Sequence, residues 1–132
     1  RIDPPVIGHR VMPEEIAHEV EHMMESVALP GGGGVKAAVR DYRVAVKTGT
    51  AKKIDDSGKY VDKYVAYTAG VAPASDPRFA LVVVINDPQN GAYYGGAVSA
   101  PVFSEIMGNV LRLENVKPDG LPADSGHLIV MR

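Results

Sequence analysis

Tyr42-Arg43-Val44-Ala45-Val46-Lys47-Thr48-Gly49-Thr50-Ala51 is the stretch whose pattern governs the rest of the chain. Val44 and Val46 alternate with smaller residues up to Lys47, which is the period of two that a strand imposes. The pattern closes at Ala51, ahead of the polar, turn-rich segment Asp55-Asp56-Ser57-Gly58. On such a strand Lys47 and Gly49 point to one face and Thr48 and Thr50 to the other. A glycine inside a strand weakens packing, and close approach of another backbone or a ligand is a common reason for one.

Working outward, a second strand runs from about Tyr64 to Ala72, and the turn Pro73-Ala74-Ser75-Asp76-Pro77 leads into Phe79-Ala80-Leu81-Val82-Val83-Val84-Ile85. That unbroken, β-branched run reads as a central strand covered on both faces. Three strands with short links predict an antiparallel meander. Upstream, Pro13-Glu14-Glu15 suits a helix opening, and Ile16, Val20, Met23, Met24 and Val27 recur at helical spacing, predicting an amphipathic helix over 13–28. Pro30 and Gly31 to Gly34 end it and read as a flexible link. No Gly-Lys-Ser/Thr follows, which excludes a phosphate-binding P-loop. Downstream, Gly91-Ala92-Tyr93-Tyr94-Gly95-Gly96 reads as a loop, and a helix follows from about Ser99 to Leu111 with Val102, Phe103, Ile106, Met107, Val110 and Leu111 as its buried stripe. Residues past Asn115, rich in Pro, Gly and Asp, read as a loosely held tail. The sum is an α+β arrangement with helices packed on an antiparallel sheet.

The totals narrow the function. A chain of 132 residues with 45% hydrophobic content supports one modest core, a domain or a piece of one. Its longest apolar run, Phe79 to Ile85, is far too short to cross a bilayer. Zero cysteines exclude a disulfide framework and Cys-based zinc sites. A net charge of -2 argues against a nucleic-acid partner, which needs a basic face. Locally the balance differs: Arg40 to Lys63 carries seven Lys or Arg against four Asp, a surface that suits an anionic small ligand as well as plain solvation.

Two motifs stand out. His18-Glu19-Val20-Glu21-His22 fits the His-Glu-x-x-His pattern of zinc peptidases, and Lys47-Thr48-Gly49-Thr50 fits a Lys-Thr-Gly element of acyl-transferring enzymes. Each is about equally rare by composition, so context decides. Projection of the helix puts both histidines nearly opposite Ile16, Val20, Met23 and Val27, toward solvent. Pro and four Gly follow in place of a second helix bearing a ligand Glu, so no metal site is expected.

The tetrad, by contrast, ends a predicted strand. With Gly70-Val71-Ala72-Pro73, the strand ending Val84-Ile85-Asn86-Asp87-Pro88, and Tyr93 through Phe103, it resembles the class B penicillin-binding proteins, most of all the division-specific septal D,D-transpeptidases of the FtsI type. The resemblance covers nearly the whole chain up to about Pro118. It implies a penicillin-binding, serine β-lactamase-like fold, with 1–115 the C-terminal part of a transpeptidase domain and 116–132 a tail. That family uses Ser-x-x-Lys, Ser-x-Asn and Lys-Ser/Thr-Gly, and this chain carries the third alone, so it reads as a fragment without its nucleophile, as does its start at Arg1.

For the residues present, the resemblance implies specific roles. Lys47 supplies positive charge and aids proton transfer beside the serine. Thr48 and Thr50 hydroxyls bind the carboxylate of a D-Ala-D-Ala stem peptide or of a β-lactam that mimics it. Thr50 also offers its N–H to an oxyanion. Gly49 lets the peptide lie along the strand edge. Tyr93 and Tyr94 line the ligand cleft, or equally pack their own loop. The resemblance further implies no cofactor, an inner-membrane location with the catalytic domain in the periplasm, and contacts with division-complex proteins and with the N-terminal remainder of the same domain. A penicillin-sensing domain of a signalling protein shares the tetrad and is the alternative.

Overall fold

The computed structural model describes residues 8–89 and 91–120. Helix α1 spans Glu14–Glu25 and runs into a 3-10 turn at Ser26–Ala28; a second 3-10 turn, Val35–Ala37, precedes the sheet. Strands β1 (Ala45–Ile54), β2 (Tyr60–Ala72) and β3 (Phe79–Asn86) form the predicted antiparallel meander, in the order β1-β2-β3. A single helical turn, α2 (Gly95–Val98), leads through Ser99 into α3 (Ala100–Leu113).

The hairpin β1-β2 is longer than its sequence pattern. It extends to Ile54 and restarts at Tyr60 because Asp55 organises a tight turn: its Oδ1 accepts from the backbone N–H of Ser57 and Lys59 and from the Ser57 hydroxyl. Gly58 sits at φ +80, where a side chain is strained.

One face of the sheet carries the core. Val44 and Val46 are buried with Phe103, Met107 and Leu111 of α3, and Phe79, Leu81 and Val83 of β3 pack against this cluster. The opposite face is open. Val82 and Val84 are 63% and 58% exposed, so β3 is neither central nor covered on both faces among the described residues; β2 is the central strand. A continuous apolar run establishes that both faces are apolar, and burial of the second face depends on what packs there.

Other expectations need correction. The α3 stripe is narrower than its periodicity suggests: Ala100, Phe103, Met107, Gly108 and Leu111 are buried, while Val102 and Ile106 are about two-fifths exposed. No residue of α1 is buried, and its apolar stripe of Ile16, Val20 and Met23 stays exposed. Gly31 to Gly34 form a packed turn rather than a flexible link, with Gly32 donating to Leu29 O and Gly34 to Val27 O. Residues 116–120 are tied down: Tyr42 donates to Val116 O, Arg43 and Ser75 N–H groups donate to the Asp119 carboxylate, and Gly120 N–H donates to Asp41 O. The rest of the predicted tail, 121–132, lies outside the described residues.

Candidate active site

The tetrad lies on β1, the first strand of the sheet, whose outer edge pairs with no other strand among the described residues. Register fixes its orientation. Lys47 opposes Ala69 and Gly49 opposes Tyr67 on the open face, while Thr48 opposes Thr68 and Thr50 opposes Ala66 on the core face. Thr48, Gly49 and Thr50 line a cleft of about 470 Å³ together with Gly33, Lys36 and Tyr94. Lys47 is exposed on the other side of the strand, and its ammonium donates to the Thr48 carbonyl at 2.6 Å.

Of the two tyrosines, the structure brings Tyr94 to the tetrad cleft and sets Tyr93 against Tyr64 instead. The Tyr64 and Tyr93 rings stack with centroids 4.1 Å apart, and Tyr93 packs on Tyr94 at 4.5 Å. The Tyr93 hydroxyl donates to that of Tyr94 at 3.2 Å, a bond that holds the proton on Tyr93 and pushes its pKa up to about 12. The three rings form a continuous row from the first half of β2 to the cleft.

Behind the cleft is a polar arrangement the sequence reading missed. The segment 91–96, read as a loop, ends in α2, and Gly95 is held at both ends. Its N–H donates to Thr50 Oγ1 at 3.0 Å. Its carbonyl accepts from Ser99 Oγ at 2.9 Å, and Ser99 Oγ in turn pairs with Thr68 Oγ1 at 2.8 Å, both hydroxyls fully buried. Because Ser99 spends its proton on Gly95, Thr68 is the donor in that pair. Thr50 Oγ1 accepts from Gly95, which leaves its own proton free to be donated into the cleft. The only sequence signal for this was a buried-strand Thr opposite a helix-start Ser, a pairing invisible without the fold.

His18 and His22 are exposed and pair with glutamates of their own helix, His18 with Glu14 and Glu21 and His22 with Glu25. Among the described residues, no three His, Asp or Glu side chains converge in a way that would hold a metal ion, and no helix is long and apolar enough to cross a membrane.

Comparison with known proteins gives one consistent answer. Residues 1–108 match the family described as penicillin binding protein transpeptidase domain. The peptidoglycan D,D-transpeptidase FtsI of Escherichia coli K12 is 72% identical over 121 residues, 92% of this chain and 21% of that protein. The probable peptidoglycan D,D-transpeptidase PenA of Neisseria gonorrhoeae is 44% identical over 84% of the chain and 19% of its own length. The apo transpeptidase domain of Burkholderia pseudomallei penicillin-binding protein 3 superposes with a TM-score of 0.78 at 44% identity, covering 90% of this chain and 36% of that one. The chain thus spans about a fifth of the length of the curated relatives it matches.

Proposed function

Because the chain belongs to the penicillin-binding protein transpeptidase domain family, we propose that it supplies the Lys-Thr-Gly-Thr wall of a serine D,D-transpeptidase that cross-links peptidoglycan stem peptides at D-Ala-D-Ala during septal wall synthesis and is acylated by β-lactams. The observation that carries this reading is the tetrad's placement on a strand edge that pairs with nothing among the described residues, with Thr48, Gly49, Thr50 and Tyr94 lining one cleft.

An extended peptide lies along the β1 edge as an added strand. Its terminal carboxylate takes the hydroxyl protons of Thr48 and Thr50, the latter available because Thr50 Oγ1 is already an acceptor for Gly95. The serine, which no Ser-x-x-Lys of this chain provides, comes from the remainder of the domain. Lys47, whose ammonium rests on the Thr48 carbonyl on the other side of the strand, reaches around the strand edge to stabilise the serine's anionic form and aid proton transfer as the serine attacks the carbonyl of the penultimate D-Ala; that C–N bond breaks, D-Ala departs with a proton, and an acyl-serine remains. Thr50 N–H is one donor to the oxyanion. An amine of a neighbouring strand then displaces the serine. Tyr93 acts through Tyr94 and Tyr64 as part of the cleft wall. The chemistry needs no cofactor.

The remainder of the domain also has a place to dock. The open sheet face with Val82, Val84 and Tyr67, and the apolar stripe of α1, are surfaces for a packed neighbour. We assign residues 1–115 to the transpeptidase domain and 116–132 to a C-terminal tail whose first residues, 116–120, are held against it. We propose that the intact protein sits at the inner membrane with this domain in the periplasm, among division-complex proteins. A penicillin-sensing role shares the tetrad, but relatives named as transpeptidases at 72% identity favour the enzyme. The test is labelling of the full-length protein by a fluorescent penicillin, stoichiometric in the parent and slowed by about 10² to 10⁴ in Lys47→Ala; a folded Lys47→Ala that acylates at the parental rate overturns the assignment.

A further inference from the structure

Gly49 is enclosed from both faces of the sheet. On the open face, a Cβ at this position would overlap Cζ, Oη and Cε2 of Tyr67, its direct cross-strand partner. The phenol of Tyr67 therefore crosses from the central strand to lie over Gly49, in the space a side chain at 49 would need. On the core face Gly95 comes so near that a Cβ on it would fall within 2.5 Å of Gly49 O and of Tyr67 O. Gly95 is itself fixed by Thr50 Oγ1 on one side and by the buried Ser99 and Thr68 hydroxyls on the other.

We propose that Tyr67 is a positioning residue for the acyl-transfer step: its ring presses the Gly49 backbone against Gly95 and so sets the direction of the next amide, the N–H of Thr50. The inference rests on the transpeptidase reading above. An edge strand lacks a second neighbour to hold its plane, and a glycine within it has the widest backbone freedom of any residue. Rotation of the Gly49–Thr50 peptide would swing the Thr50 N–H away from the developing oxyanion. Displacements on the order of 1 Å at such a donor cost up to about 10²-fold in rate. Tyr67 touches no ligand in this scheme, and its effect passes entirely through Gly49.

The glycine and the ring occupy one volume, which makes the test a size exchange in the full-length protein, read as β-lactam binding and acylation constants measured separately. Tyr67→Ala is expected to lower the first-order acylation constant by roughly 10- to 100-fold while the dissociation constant of the non-covalent complex changes less than about threefold. Tyr67→Phe, which keeps the ring, restores acylation to within about threefold of the parent. Gly49→Ala alone is expected to cost more than about 100-fold, and the same change in the Tyr67→Ala background to cost less than about threefold, because the clash has gone. If Tyr67→Ala does not fold, as judged by thermal unfolding, Tyr67→Leu, which removes the ring edge over Gly49, takes its place with the same expectation. Parental acylation in the folded Tyr67→Ala or Tyr67→Leu variant, or equal Gly49→Ala costs in both backgrounds, overturns the proposal and leaves the transpeptidase reading standing. A parent that is never labelled overturns that reading instead.

Discussion

Lys47 and Thr48 are adjacent in the chain and lie on opposite faces of the sheet, so their substitutions report on different steps. In its proposed role the Lys47 charge serves bond making, so Lys47→Ala is expected to slow acylation at saturating ligand. Thr48 lines the cleft, and its proposed role is a hydrogen bond to the ligand carboxylate. Thr48→Val removes one hydrogen bond to a charged group, about 1.5 to 3 kcal/mol, and is expected to weaken binding roughly ten- to a hundredfold. That penalty should shrink for a ligand whose carboxylate is esterified. Ser99 tests the scaffold behind the cleft. Ser99→Ala leaves the buried Thr68 hydroxyl without its acceptor, at a cost of about 1 to 3 kcal/mol, while the Gly95 carbonyl keeps its bond from the backbone N–H of residue 99. Denaturant unfolding of the full-length variant measures it, and an unchanged midpoint would show that the triad is dispensable.

Among the polar links between elements is a bidentate ion pair from the last residue of α1 to Arg43, just ahead of β1. Arg43 donates to Glu25 through Nε at 2.8 Å and Nη2 at 2.7 Å. The guanidinium holds the Glu25 carboxyl below its ordinary value of 4.5. A carboxylate with a depressed folded pKa stabilises the fold at pH values above the unfolded pKa, and that contribution fades as pH falls through the lower folded value. Arg43 is partly exposed, which limits the pair to roughly 0.5 to 1 kcal/mol. The Glu25→Gln protein should therefore unfold slightly earlier than the parent at pH 7. The two melting curves should converge in acid, once the pH has fallen through the lowered folded pKa and the parental carboxyl is protonated as well. A difference that persists unchanged into acid would mean that packing, rather than charge, joins these elements.

For the molecule as a whole, the chain by itself presents the tetrad without an attacking hydroxyl: none of its serines stands in a Ser-x-x-Lys sequence. The purified 132-residue chain is expected to remain unlabelled by fluorescent penicillin, and stoichiometric labelling would contradict the division of roles drawn above.

The sequence alone determined the three strands, their meander, the two flanking helices and the tetrad's alternation, because period-two and period-3.6 patterns are local and Lys-Thr-Gly-Thr needs no partner to be recognised. It did not reveal that Val82 and Val84 lie on an open face, since an apolar run records what a strand can bury and not what covers it. Nor did it show why residue 49 is a glycine. That reason is a ring eighteen positions later in the chain, brought over Gly49 by strand register, and Gly95, brought to the other face by Thr50, Ser99 and Thr68. Contacts of that separation exist only once the sheet has formed, so only the tertiary structure decided them.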